Sequence, residues 1–150
     1  IDTPDGEVGF CCLHLETPRR GLSLILNRDE IDLGKANAAD RQTGLRREES
    51  VRLLRWLQRF DEPKIIAGDF NMTADSTIYR RTWSRYRNAF GWAGFGYGYT
   101  KQTVIRRRGY GLRIDHILTD ENWVPVDCRV GPDLGSDHLP LIADLVRLPG

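Results

Sequence analysis

Three short phrases in this sequence set a carboxylate beside an apolar run: Gly68-Asp69-Phe70-Asn71 after Ile65-Ile66-Ala67, Arg113-Ile114-Asp115-His116, and Ser136-Asp137-His138-Leu139-Pro140. Each falls where a strand would end, so carboxylates, an amide and an imidazole can converge on one pocket. That donor set suits a hard divalent cation and a phosphate ester. Each phrase also has a plain structural reading. Asp69 and Asn71 can close an Asx-type turn on local backbone groups. Asp115, in a strand otherwise fit for burial, needs either a metal or a salt bridge with Arg113 or a neighbouring arginine. His116 points the opposite way in a regular strand and reads as structural. Asp137 and His138 suit a metal site, a base or charge-stabilising pair, or an ordinary turn followed by a partly exposed histidine. His14, inside an apolar strand, reads by itself as a satisfied core residue rather than a ligand. The shared strand-end location of all these residues favours the chemical reading.

The elements that must hold these residues are legible in outline. Val8–Leu15 is almost continuously apolar and predicts a buried strand. Residues 16–46 are rich in charge, Gly and Asn, and predict irregular structure with a helical turn. From Leu45 to Phe60, Val51, Leu54 and Leu57, flanked by Leu53 and Trp56, form the stripe of an amphipathic helix packed on a sheet. Asp61-Glu62-Pro63 stops it. Lys64–Phe70 predicts a strand ending at Asp69, and Asp75 or Ser76 can cap a helix running to about Tyr86. Residues 91–99 interleave glycine with aromatics and predict a loop. Strands are expected at Leu112–Leu118, Trp123–Val130 and Leu139–Leu148. The sum is about five strands and two main helices, an α/β class (or α+β) with a mixed sheet and flanking helices.

With 150 residues, 40% hydrophobic and 29% charged, the chain fits one globular domain with a sizeable core. A net charge of +1 carries no polyanion-binding signature for the whole chain. Two basic stretches stand out: Arg80, Arg81, Arg85 and Arg87, then Lys101, Arg106, Arg107, Arg108 and Arg113. Each either attracts phosphate, nucleic acid or an anionic membrane, or is a solvated face. The three cysteines lack ligand spacing and predict free thiols. There is no recognisable signal peptide, and no apolar run approaches the roughly 20 residues that span a bilayer.

Taken in order, a strand ending in His14-Leu15 and then GDFN, RIDHIL and GSDHLPL resemble the endonuclease/exonuclease/phosphatase superfamily of metal-dependent phosphoesterases, from Val8 to Leu145. The resemblance implies that residues 1–150 are the C-terminal part of such a domain, half of a four-layer α/β/β/α sandwich. It implies a catalytic set in which His14 stabilises charge on the scissile phosphate, Asp69 orients or deprotonates water, Asn71 positions phosphate, Asp115 tunes the site and His138 contacts phosphate. It further implies Mg²⁺ or Mn²⁺, with Asp137, Asp69 and Asn71 as metal-binding residues, and in-line attack of water on phosphorus. The family's early asparagine and metal-binding glutamate belong to an N-terminal half, and Glu7 stands in the wrong place for that glutamate. The expectation is therefore a half-site that binds metal weakly and hydrolyses slowly or not at all. A non-catalytic scaffold or self-association module is the alternative. A half-sandwich would expose the inner face of its sheet, which predicts a homo-oligomer that covers it.

The GYGYT loop and Ile78-Tyr79-Arg80 resemble a bacterial branch often tethered to membranes through N-terminal helices. That resemblance adds lipid-linked phosphates to nucleic acid as candidate substrates. Tyr97, Tyr99 and Trp92 would line the substrate groove, with Arg113 also binding substrate. The other reading is a mobile glycine loop with its aromatics tucked onto the sheet edge.

Overall fold

A computed structural model describes residues 1–4, 6–17, 33–105 and 108–149. A short hairpin of β1 (Asp2–Thr3) and β2 (Gly6–Glu7) leads into β3 (Gly9–His14). The chain continues through α1 (Leu33–Leu57), β4 (Lys64–Asp69), α2 (Thr77–Thr82), β5 (Arg87–Asn88) and α3 (Ala89–Ala93). A second hairpin, β6 (Lys101–Ile105) and β7 (Arg108–Leu112), precedes β8 (Asp115–Thr119), β9 (Trp123–Val130) and β10 (Leu141–Arg147). The described residues thus form ten strands and three helices, more than the sequence pattern suggests, because several strands are too short to show a period.

The central sheet has the order β3-β4-β8-β5. β3 runs parallel to β4, and β8 antiparallel to both β4 and β5, so the sheet is mixed and the class is α/β. Side chains alternate across it. On one face Cys11, Leu13, Ile66 and Leu118 pack with Leu57, Phe70, Met72, Tyr79 and Trp83 under α1 and α2. Phe70 and Trp83 are fully buried and meet edge to face, with ring centroids 5.1 Å apart. Each large apolar side chain removed from water in this way contributes about 1.5–3 kcal/mol. On the opposite face Ile117 of β8 meets the antiparallel β9–β10 pair through Ala89, Phe90 and Cys128.

The structure corrects several expectations. β3 is an edge strand covered on one face only: Phe10 is 51% exposed, and Cys12 and His14 also face out. Its continuous apolar run therefore does not mean burial on both sides. α1 starts at Leu33 rather than Leu45, because its first turns hold Ala36, Ala38 and Ala39, good helix formers, without an apolar stripe to reveal them. α2 ends at Thr82 and not near Tyr86, although Ser76 caps it, its Oγ accepting from the Tyr79 amide at 3.2 Å. α3 occupies part of the stretch expected to be loop, held by the Asn88 side chain accepting from the Gly91 amide at 3.0 Å. Leu112 closes the β6–β7 hairpin instead of opening β8. Arg106 and Arg107, within the second basic stretch, lie outside the described residues.

Gly68 is the close approach that makes the site possible. Its φ is +143°, and a Cβ there would stand 1.9 Å from the Leu13 carbonyl oxygen. A side chain would push β3 and β4 apart one residue before Asp69.

Candidate active site

The pairing register brings the chemistry together. His14 is opposite Asp69 across β3 and β4, and Asp69 is opposite Asp115 across β4 and β8. Residues paired in this way project on the same face, so three strands deliver an imidazole and two carboxylates in one row. The His14 Nε2 lies 3.7 Å from Asp69 Oδ2, with the His14 side chain 76% exposed at the open rim.

His138 arrives from the segment between β9 and β10. Its backbone is held by an antiparallel bridge to Lys101 and by the Leu139 amide donating to the Thr100 carbonyl at 2.7 Å. The ring then reaches Asp115, Nδ1 to Oδ2 at 2.9 Å, and its Nε2 lies 3.9 Å from Asp69 Oδ2. Asp69, Asp115 and His138 are all half-buried. Asp115 and His138 line an open cleft of about 370 Å³ whose walls include Gly68, Ile117, Leu134 and Ser136.

Asp69 divides its two oxygens. Oδ1 accepts the Asn71 amide at 2.7 Å and closes an Asx turn, while Oδ2 faces both imidazoles. Asn71 has φ +49°, a left-handed conformation that asparagine tolerates better than most side chains. Its own Nδ2 donates to the Leu15 carbonyl at 2.8 Å, and Arg46 of α1 donates to its carbonyl at 3.4 Å. Burial raises the Asp69 carboxyl above its ordinary range, and the Asp115 charge adds to the rise; the Asn71 amide and the two imidazoles pull it back.

The donor set can be tested against a cation. One ligand atom from each of Asp69, Asp115 and His138 lies within 4.8 Å of the others. A cation bonded at about 2.0–2.1 Å needs ligand atoms no farther than about 4.2 Å apart, a small contraction of this arrangement. Two carboxylates and one imidazole therefore fit a divalent ion. Of the residues expected to hold metal, Asp69 belongs to this group. The Asp137 carboxylate is 70% exposed and ion-paired with Lys101, while Asn71 donates its Nδ2 to the Leu15 carbonyl and keeps its Oδ1, the atom that a hard cation takes. Asp137 lies in the bend at 135–137 that leads into the His138 bridge, and the two neighbouring side chains part there.

Arg113 is half-buried and stacks over the Phe90 ring at 4.5 Å, its Nε is buried with no hydrogen-bond partner, and its charge acts on His116 and Tyr79. Tyr97 and Tyr99 are exposed and stacked, with centroids 5.2 Å apart and planes inclined by 12°. Trp92 is exposed beneath the Arg87 guanidinium. His116 sits on the core face, where Nε2 donates to the Met72 carbonyl at 2.9 Å and Nδ1 accepts from Asn88 at 3.1 Å.

Three positioning contacts have no signature in the sequence. Thr100 is fully buried, and its Oγ1 accepts the Ile114 and Asp115 amides at 3.2 Å each, fixing the backbone that carries Asp115. Lys101 restrains Asp137, and Arg46 braces the Asn71 turn from 25 residues away. Thr100 follows a Gly-aromatic run and Arg46 lies in an arginine-rich helix, so neither stands out by type or spacing.

With this row of residues in place, the class of protein can be stated. The chain belongs to the endonuclease/exonuclease/phosphatase family, whose model matches residues 9–138. That family includes nucleases and phosphatases. Similar solved structures include an endonuclease/exonuclease/phosphatase from Bacteroides vulgatus, with 23% identity and a TM-score of 0.56 over 70% of this chain and 45% of that one. A mannosyl-6-phosphatase from Bacteroides thetaiotaomicron shares 19% identity at a TM-score of 0.53, covering 69% of this chain and 46% of its own. The human Nocturnin catalytic domain with bound sulfate shares 22% at 0.53, covering 69% and 41% respectively. The chain spans less than half the length of each of these three, and at such identities the likeness shows the fold. None of the curated proteins matches this chain in sequence.

Proposed function

We propose that this site hydrolyses a phosphate ester by in-line attack of water, using Mg²⁺ or Mn²⁺. The observation that carries the reading is the register that sets Asp69 opposite Asp115, with His138 hydrogen-bonded to Asp115. The cation would be held by the Asp69 and Asp115 carboxylates, with His138 the third group within ligand reach and Asp137 joining only by giving up Lys101. When bound, it would neutralise charge building on the phosphate oxygens. Asp69, with one oxygen fixed by the Asn71 amide, presents Oδ2 to the attacking water and takes its proton. Asp115 accepts from His138 Nδ1–H and orients the ring, and the imidazolium form carries an Nε2–H for a phosphate oxygen. His14 adds a second donor at the rim, and Asn71 keeps the turn closed. The substrate is a phosphate ester of lipid-linked or nucleic-acid type, with the Tyr97–Tyr99 pair lining its approach. In this reading Arg113 acts through the packing of Phe90 rather than by touching substrate.

The test is Mn²⁺ titration by calorimetry together with hydrolysis of bis(p-nitrophenyl) phosphate. Asp69→Asn and Asp115→Asn should each weaken Mn²⁺ binding by about tenfold or more, the size of loss seen even for partners outside the ligand set. His138→Gln should remove turnover. Unchanged Mn²⁺ affinity in both aspartate variants would refute the site.

The open face of β3 favours a second reading, in which the chain self-associates as a scaffold. Phe10 and Cys12 face outward with no layer over them among the described residues, and Val126, Ile142 and Val146 are also exposed. Sedimentation equilibrium at micromolar concentration separates the cases: a monomer rules self-association out, and a dimer without Mn²⁺ binding supports the scaffold.

A further inference from the structure

We propose that the outward face of α1 docks on an anionic lipid bilayer. The inner side of α1 is defined by Ser50 and Leu57, both buried, and by Leu53, which packs on the core. At 3.6 residues per turn, positions 52 and 55 fall on the other side, position 41 lies on the same line three turns earlier, and Arg59 follows in the turn that closes the helix. Arg41, Arg52, Arg55 and Arg59 are all exposed there. None of these four guanidinium groups has a hydrogen-bond or ion-pair partner, and Glu48 is the only acidic side chain on that line among the described residues. The whole chain carries only +1, so this is a local excess of positive charge.

Apolar side chains stand beside those arginines. Leu45 is exposed, Trp56 is 47% exposed and Phe60 is 40% exposed, the last two meeting edge to face at 4.7 Å. An open groove of about 810 Å³ runs past Arg52, Arg55, Trp56 and Arg59. Arginines flanked by Trp, Phe and Leu along one helix and the turn that closes it match what an anionic bilayer binds: guanidinium groups meet the headgroups while amphipathic rings settle at the headgroup–acyl boundary. A nucleic-acid backbone would engage the arginines but leave Leu45 and Phe60 without a role, and an edge-to-face pair offers no flat platform for bases. The surface lies on the side of α1 turned away from the sheet and does not depend on the chemistry proposed for Asp69 and Asp115.

Vesicle co-sedimentation tests this, comparing phosphatidylcholine with phosphatidylcholine containing phosphatidylglycerol. The chain should bind the anionic vesicles at low salt, release them at high salt as charges are screened, and leave neutral vesicles unbound. Arg52→Gln combined with Arg55→Gln should weaken partitioning about 30-fold. Trp56→Ser should weaken it further, with unchanged far-UV circular dichroism showing that each variant is folded. The proposal is overturned if anionic vesicles are not bound, if neutral ones bind equally, or if the double variant binds as before. Tighter binding to a single-stranded oligonucleotide, indifferent to Trp56→Ser, would overturn it in favour of nucleic acid.

Discussion

His116→Gln should make the protein less sensitive to acid. His116 is buried in the cluster of Phe70 and Tyr79, with ring centroids 5.2 and 5.0 Å away, and burial together with the nearby Arg113 charge lowers its pKa to about 4. The imidazole of an unfolded chain titrates near 6.5. Between those values the unfolded chain carries a proton that the folded one refuses. Stability is therefore fully present above about pH 6.5 and is lost as the pH falls toward about 4. The gap amounts to about 3 kcal/mol in all, and about 2.5 kcal/mol by pH ~4.5. That is a large part of the roughly 5–15 kcal/mol that holds a domain together.

Glutamine can donate to the Met72 carbonyl and accept from Asn88 without titrating, at a cost of about 1–2 kcal/mol near neutrality from lost ring packing. Urea unfolding followed by tryptophan fluorescence, from about pH 7.5 to about pH 4.5, reads both proteins. The wild type should lose about 2.5 kcal/mol more than the variant across that range. Asp69, whose raised pKa acts with the opposite sign, is present in both chains and cancels. Two stability curves that stay parallel would refute a neutral buried imidazole at this position.

Thr100→Val should leave the Ile114 and Asp115 amides without their acceptor and cost about 2–4 kcal/mol in urea unfolding. Thr100→Ser should retain most of that stability, and equal losses for both variants would show that methyl packing, not the hydroxyl, is what matters. Gly68→Ala should destabilise by at least about 2 kcal/mol, since it combines a disfavoured φ with a backbone clash; calorimetry showing an unchanged melting temperature would contradict the close contact with Leu13.

The parts of the site that could be read from the chain are those where residue type and position coincide. Asp69, Asp115 and His138 each interrupt an apolar run, and a carboxylate or imidazole in such a place demands a partner. The strand ending at Asp69 is visible for the same reason, whereas the expected helix stripe shares only Leu57 and its flanking Leu53 with the line that packs on the core, and its Trp56 is exposed. Where no period exists, nothing shows. The first turns of α1 carry no apolar stripe, and the β6–β7 hairpin reads as a basic stretch because Lys101 and Arg108 stand at the strand starts and glycine takes every second place in β7. The run Val8–Leu15 misleads in the other direction, since apolarity alone does not say whether a second layer covers Phe10 and Cys12.

The order of His14, GDFN, RIDHIL and GSDHLPL was enough by itself to mark the family, because strand-end carboxylates in that order are a local property of the chain. The tertiary structure alone decided how those groups face one another. A slip of one residue between β4 and β8 would have sent Asp115 to the core and His116 to the cleft, since side chains alternate with a period of two. Tertiary contact likewise places His138 on Asp115 while its neighbour Asp137 meets Lys101, with His138 held by a bridge to a strand 37 residues earlier.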